Sequence, residues 1–250
     1  MTSEVQISDE GPVRTIRMNR PDKKNALTAA MYDAMAAAIE NAGTDAKIRC
    51  VLIAGRPGAF TAGNDLTDFL KAAEAGEGLG SSTIRFLHAL ARSERPLVAA
   101  VQGVAVGLGT TMLLHCDYVV AGDNARFSTP FVNLGLVPEA ASSLLAPALM
   151  GHRRAFALLV MGRAFDATAA QACGLVNAVV PPVDVDTTAM EAARDIAALP
   201  AEAVADSRRL LRGSPDEVVA LINKEVELFK KRLRSPEAQE AFKAFLTRKR

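Results

Sequence analysis

Four short apolar runs do most to limit what this chain can fold into: residues 50–54, 97–101, 118–121 and 176–180. Each is nearly unbroken, with no polar alternation. Such runs fit strands covered on both faces of a sheet. Helical patterns lie between them. After Thr28, a residue able to cap a helix, Met31, Met35 and Ile39 recur every four positions, and Gly43 is the expected stop. Residues 13–18 read as a further strand, with Asn19-Arg20-Pro21 as its exit turn. Strand alternating with helix places the chain in the α/β class.

From Asp184 onward the strand signals stop. Residues 186–198, 201–211 and 216–233 read as helices, and Ser235-Pro236-Glu237 opens a last one carrying Phe242 and Phe245. Val219, Ile222, Val226, Phe229 and Leu233 form one stripe at 3-4-3-4 spacing, which needs a surface to cover, on this chain or on a neighbouring subunit. The expected organisation is a core over residues 1–185 and a helical region over 186–250. Residues 74–82, rich in glycine and serine, read as a mobile loop.

Charge excludes some partners. The 29 Lys and Arg against 28 Asp and Glu leave a net +1, giving no field to draw nucleic acid or a membrane surface. No apolar run approaches a membrane span. Cys50, Cys116 and Cys173 lie far apart, without metal-ligand spacing or a disulfide framework, which fits a reducing compartment. The start, Met1-Thr-Ser-Glu-Val, lacks a signal pattern, and Arg248-Lys249-Arg250 is no peroxisomal tripeptide, so a cytosolic protein is expected.

Two features carry possible chemistry. The stretch 125–143 holds one acid, Glu139, directly after Pro138 and before small residues. Pro favours the first helical position, so Pro138-Glu139 is expected to start a helix, with the carboxylate complementing its dipole. The same acid among apolar neighbours also fits a general base with a raised pKa. The second feature is a pair of glycine turns after buried-type strands, at residues 59–66 and 102–111. Met112 stands where a dinucleotide fingerprint needs its third glycine, and no Gly-Lys-Ser/Thr follows. The glycines fit close packing. Two such turns also fit backbone N–H groups converging on one oxygen as charge develops there.

At this point the ordered motifs resemble the crotonase (enoyl-CoA hydratase/isomerase) family. They run from Met18-Asn-Arg-Pro-Asp-Lys-Lys-Asn-Ala-Leu27 through Phe60-Thr-Ala-Gly-Asn-Asp-Leu66, the stretch 96–109, Cys116-Asp117 and Ala125-Arg-Phe127 to residues 162–181. The resemblance implies a spiral of ββα units, a C-terminal helical trimerisation region, a homotrimer or dimer of trimers, and an acyl-CoA thioester as ligand. No separate cofactor is implied, since coenzyme A is part of the substrate. The N–H groups of Ala62 and Leu108 would bind the thioester oxygen. Lys24, Ala26 and Leu27, with Ala62, Gly63, Asn64, Asp65 and Leu66, would line the CoA region, the Asp65 side chain bracing its turn.

Two departures from the family pattern bear on the reaction. The positions of the two hydratase glutamates match Thr111 and Phe131, neither of which supplies an acid for water addition. Thr129-Pro-Phe…Leu-Gly…Pro-Glu…Ser-Ser143 instead resembles the Δ3,Δ2-enoyl-CoA isomerase branch, where the acid matching Glu139 is the base. The bulky Leu108 and the stretch 64–69 fit that branch too. One carboxylate would then move a proton from C2 to C4, behind an apolar wall of Phe131, Val132, Leu136 and Val137. The rival readings are an acyl-CoA-binding homologue without activity, a hydratase, or another thioester-enolate reaction. His115 reads as a core or helix-end histidine. His88 and His152 lack a nucleophile partner, and Asp117 reads as structural.

Overall fold

The structure, a computed structural model, describes residues 4–65, 67 and 78–248. An antiparallel hairpin, β1 (Val5–Glu10) and β2 (Val13–Met18), leads into β3 (Cys50–Gly55), parallel to β2. One step then repeats: a buried strand in a first sheet, a turn, and a three-residue strand in a second. β3 is followed by β4 (Ala59–Thr61), β5 (Leu97–Val101) by β6 (Val104–Val106), and β7 (Tyr118–Gly122) by β8 (Arg126–Ser128). β9 (Phe165–Asp166) and β10 (Ala178–Val180) complete two sheets ordered β1-β2-β3-β5-β7-β10 and β4-β6-β8-β9.

The helices described are α1 (Ala29–Thr44), α2 (Ser81–Arg92), α3 (Leu108–Thr111), α4 (Ser142–Met150), α5 (His152–Leu159), α6 (Ala167–Ala172), α7 (Val185–Ala198), α8 (Ala201–Arg212), α9 (Pro215–Leu233) and α10 (Pro236–Arg248). On one face of the larger sheet Val13, Leu52, Val98 and Val120 meet α7 through Val185, Ala189, Ala193 and Ala197. Alanine every four residues lets that helix sit close. The other face shares a larger core with α1, α2 and the second sheet, built around Tyr32, Phe60, Phe86 and Phe127. The α9 stripe is buried and packs against α2, so it covers the chain's own body.

Several boundaries differ from expectation for local reasons. Gly43 does not stop α1, because its φ is not positive and the Asp45 N–H caps the helix on the Asn41 carbonyl. The strand expected from 176 begins at Ala178, since the N–H groups of Leu175 and Val176 turn back to the Ala170 carbonyl. Ser81 and Ser82 open α2 and do not end a loop, and residues 74–77 of that stretch lie outside the described residues.

Candidate active site

The two glycine turns abut. A Cβ on Gly63, whose φ is +82°, would meet the Val106 carbonyl oxygen at 2.7 Å, and one on Gly109 would meet the Thr61 methyl at 2.4 Å. Close packing is thus one use of both glycines, and it brings the turns together. The expected donor at Ala62 needs correction. Its N–H already donates to the Lys24 carbonyl at 2.9 Å and is not available to a ligand. Among the described residues, the N–H groups of Asn64 and Leu108 meet no protein acceptor.

The loop 20–27 is fastened to the first turn. Lys24 and Asn25 are both left-handed, with φ of 49° and 53°. Buried Asn25 accepts from the Arg20 N–H and donates to the Ala59 carbonyl, each at 2.8 Å, while its own carbonyl accepts from the Thr61 hydroxyl at 2.6 Å. Leu27 bridges to Gly63 and Asp65 through backbone bonds of 2.8 Å. Arg20 donates to the Ala26 carbonyl and to the Asp65 carboxylate, which also accepts from the Thr67 N–H, so the Asp65 side chain does brace its turn. Lys24, Ala26, Leu27, Ala62, Gly63, Asn64 and Asp65 therefore form one assembled rim. Leu66 lies outside the described residues.

Glu139 is 1% exposed and points inward. It does not start a helix. Ala140 and Ala141 follow with φ of 64° and 52°, both left-handed, and α4 begins only at Ser142. Each such non-glycine conformation costs about 1 kcal/mol or more, so surrounding contacts must hold the turn. One carboxyl oxygen of Glu139 accepts from the Thr111 hydroxyl at 2.5 Å, and the other, fully buried, has no protein partner. Burial pushes the carboxyl up to about 8. The Thr111 hydrogen bond opposes that rise and the negative charge of Glu225 adds to it. Glu139 lies beside both turns. Thr111 is three residues beyond Leu108, and the Tyr32 hydroxyl, 2.5 Å from the Asn64 side-chain oxygen, is raised chiefly by burial and then by the Glu139 charge.

Leu108, Phe131 and Leu136 are buried in the same apolar cluster, with Val137 packed against it, but Val132 is 44% exposed and is no part of a wall. His115 is buried and neutral, as burial drives it down to about 4, and its Nε2–H donates to the Ala140 carbonyl at 2.8 Å. His88 instead pairs with Asn223, and His152 lies beside the Phe156 ring. Asp117 is structural, accepting from Arg208 and the Leu97 N–H. Burial pushes the Cys50 and Cys116 thiols up to about 12, far from a nucleophilic thiolate. A groove of about 670 Å³ between α1 and α2, lined in part by Ile39, Ile84 and His88, contains none of the site residues. Among the described residues no cluster of side chains could hold a metal, and no helix is long and apolar enough to cross a membrane.

The profile of one family, "Enoyl-CoA hydratase/isomerase", matches residues 8–250. The chain belongs to that family. Crotonase-family relatives include "Enoyl-CoA delta isomerase 2" of Rattus norvegicus, 36% identical over 98% of this chain and 64% of that protein. "Enoyl-CoA delta isomerase 3, peroxisomal" of Mus musculus is 32% identical over 99% and 80%. The chain thus spans less than two thirds of the rat protein's length. A crystal structure of an enoyl-CoA hydratase/isomerase from Pseudoalteromonas atlantica superposes with a TM-score of 0.93 at 41% identity, covering 98% of both chains. The two-sheet spiral with C-terminal helices is accordingly the crotonase fold, and members of this family act on acyl-CoA thioesters.

Within this candidate site the sequence reading passed over Tyr32 and Glu225 and gave the Asn25 side chain no role of its own. Glu225 left a trace. It lies three residues after Ile222 and four before Phe229, on the apolar stripe of α9, where an acid is out of place.

Proposed function

We propose that the protein is a Δ3,Δ2-enoyl-CoA isomerase using Glu139 as its sole acid–base group. Ionised Glu139 takes a proton from C2 of a 3-enoyl-CoA. The electron pair moves into the thioester, and the charge collects on its oxygen, where the Asn64 and Leu108 N–H groups receive it. Protonated Glu139 then returns the proton at C4, leaving a 2-enoyl-CoA with no net gain or loss of atoms. Thr111 serves both states. Its hydroxyl donates to the ionised carboxylate at 2.5 Å, and when Glu139 carries the proton it can turn to the Gly107 and Leu108 carbonyls at 3.4 Å. Phe131 and Leu136 keep water from quenching the dienolate. The rim of Lys24, Ala26, Leu27, Gly63, Asn64 and Asp65 takes the CoA portion.

The observation that carries this reading is the half-bonded, buried Glu139 carboxyl with a free oxygen. Water addition needs a second acid. Thr111 and Phe131 supply none, and both oxygens of Glu225 are engaged by the turn after Glu139. The test is conversion of a 3-enoyl-CoA followed at the conjugated thioester, beside hydration of a 2-enoyl-CoA. Wild type is expected to isomerise and to hydrate little. Glu139→Gln should lose at least ~10³-fold in turnover while binding the ester nearly as well. Near-normal isomerisation by that variant would overturn the assignment.

A further inference from the structure

Glu225 is 5% exposed, on the buried side of α9 between Ile222 and Phe229. A carboxylate placed there must be compensated by hydrogen bonds. Among the described residues, all the compensation comes from one turn. Glu225 accepts from the Ala141 N–H at 2.6 Å, the Ser143 N–H at 3.2 Å and the Ser143 hydroxyl at 2.5 Å. These backbone donors belong to the start of α4, whose capping position, Ala141, has no side-chain oxygen to offer. An acid 84 residues away in sequence does the capping.

The same turn carries the paired left-handed residues Ala140 and Ala141, and Glu139 immediately precedes them. Two contacts grip it from opposite sides, Glu225 on the Ala141 N–H and His115 on the Ala140 carbonyl. Without them an alanine pair would relax toward right-handed backbone, and the Glu139 side chain would be re-aimed.

We propose that Glu225 is a positioning residue for the base: from the C-terminal helix it clamps the 139–141 turn so that the Glu139 carboxyl meets Thr111 and presents its second oxygen to substrate. The helical region is on this view part of the working site. Glu225 also acts through space, because its negative charge opposes ionisation of Glu139. The other titratable groups around the base are Tyr32 from α1 and His115 beyond α3, with Arg208 and Arg212 of α8 acting on His115. The proposal rests on Glu139 being the base, and its first readout needs no turnover.

The experiment follows the Glu139 carboxyl by infrared difference spectroscopy on full-length protein labelled with ¹³C-glutamate, using Glu139→Gln to assign the band. In wild type its midpoint is expected near 8. Glu225→Gln should move that midpoint down, since it removes a neighbouring negative charge, and lower kcat at least tenfold, with KM for a 3-enoyl-CoA changed less than threefold. Ser143→Ala, which keeps the charge and removes one of the three donors, should lower kcat a few-fold without moving the midpoint down. It tests the clamp even if Glu225→Gln does not fold. A folded Glu225→Gln with unchanged midpoint and kcat, or a Ser143→Ala with wild-type kcat, overturns the proposal. Absence of isomerisation in wild type would instead defeat the functional reading, and the frequency of the Glu139 carboxyl band in Ser143→Ala, which moves if the Thr111 hydrogen bond is weakened, would still report on the clamp.

Discussion

At the scale of the single residue, Glu139 sets opposing demands of function and stability. Its carboxyl is raised from 4.5 to about 8 by burial, so the base form grows in as pH rises. The kcat/KM of the free enzyme should climb through about 8, and a profile flat between pH 6 and 9 would contradict this. Between 4.5 and 8 the folded state binds the proton that the unfolded state has released, so stability from this group falls as pH rises through that window. Glu139→Gln removes the penalty. It should be the more stable protein, with a gap that widens from pH 5 to 9 and reaches on the order of 2–5 kcal/mol, read from denaturant melts. Thr111→Val tests the single hydroxyl. Losing the donor to the carboxylate should push the kcat/KM midpoint above that of wild type and lower turnover at pH 7.5 by about tenfold, the scale of one charge-assisted hydrogen bond. Glu139 stood out as a candidate because Pro-Glu and its flanking motifs are contiguous. The Ala62 N–H was misassigned for the converse reason. Its acceptor, the Lys24 carbonyl, comes from a loop distant in sequence, and backbone bonds between loops leave no residue-type signal.

Among elements, legibility followed length and burial. The long apolar strands β3, β5 and β7 announced themselves, whereas β4, β6 and β8 have three residues each, too few to show a period. β1 is largely exposed and polar, so it resembles a loop in sequence. Pro138-Glu139 was misread as a helix start because nothing in Ala140-Ala141 signals left-handed backbone, which glycine or asparagine normally would. In the loop 20–27 the left-handed position is held by an asparagine, Asn25 at φ 53°, a residue type that tolerates it, with its side chain in two hydrogen bonds. Asn25→Ala removes those bonds and puts a less tolerant residue in the left-handed position. It should destabilise by about 2–4 kcal/mol and, because the loop is tied to the Ala59–Thr61 strand beside the rim, raise KM for the CoA ester more than it lowers kcat. A loss of kcat at unchanged KM would place Asn25 elsewhere in the mechanism.

For the whole molecule, the same helices that frame Glu139 also face outward. α4 starts three residues after Glu139, and α4 and α5 pack on one another. Their outer sides carry Leu144, Leu149 and Phe156, each between 46% and 49% exposed, and Met161 just beyond is 52% exposed. Single exposed apolar residues are ordinary, but several on two packed helices fit a surface for association. The expected partner is further copies of this chain, as the resemblance to crotonases implies. Light scattering should therefore give a mass of three chains or a multiple of three. Phe156→Glu would bury a charge in that contact and should shift the protein toward single chains. Because the base turn runs directly into α4, dissociation should also lower kcat for the 3-enoyl-CoA, and wild-type specific activity should fall on dilution in step with the loss of mass. Full activity in a single-chain Phe156→Glu would show instead that each chain's clamp from α9 suffices by itself, and that association serves only to cover apolar surface.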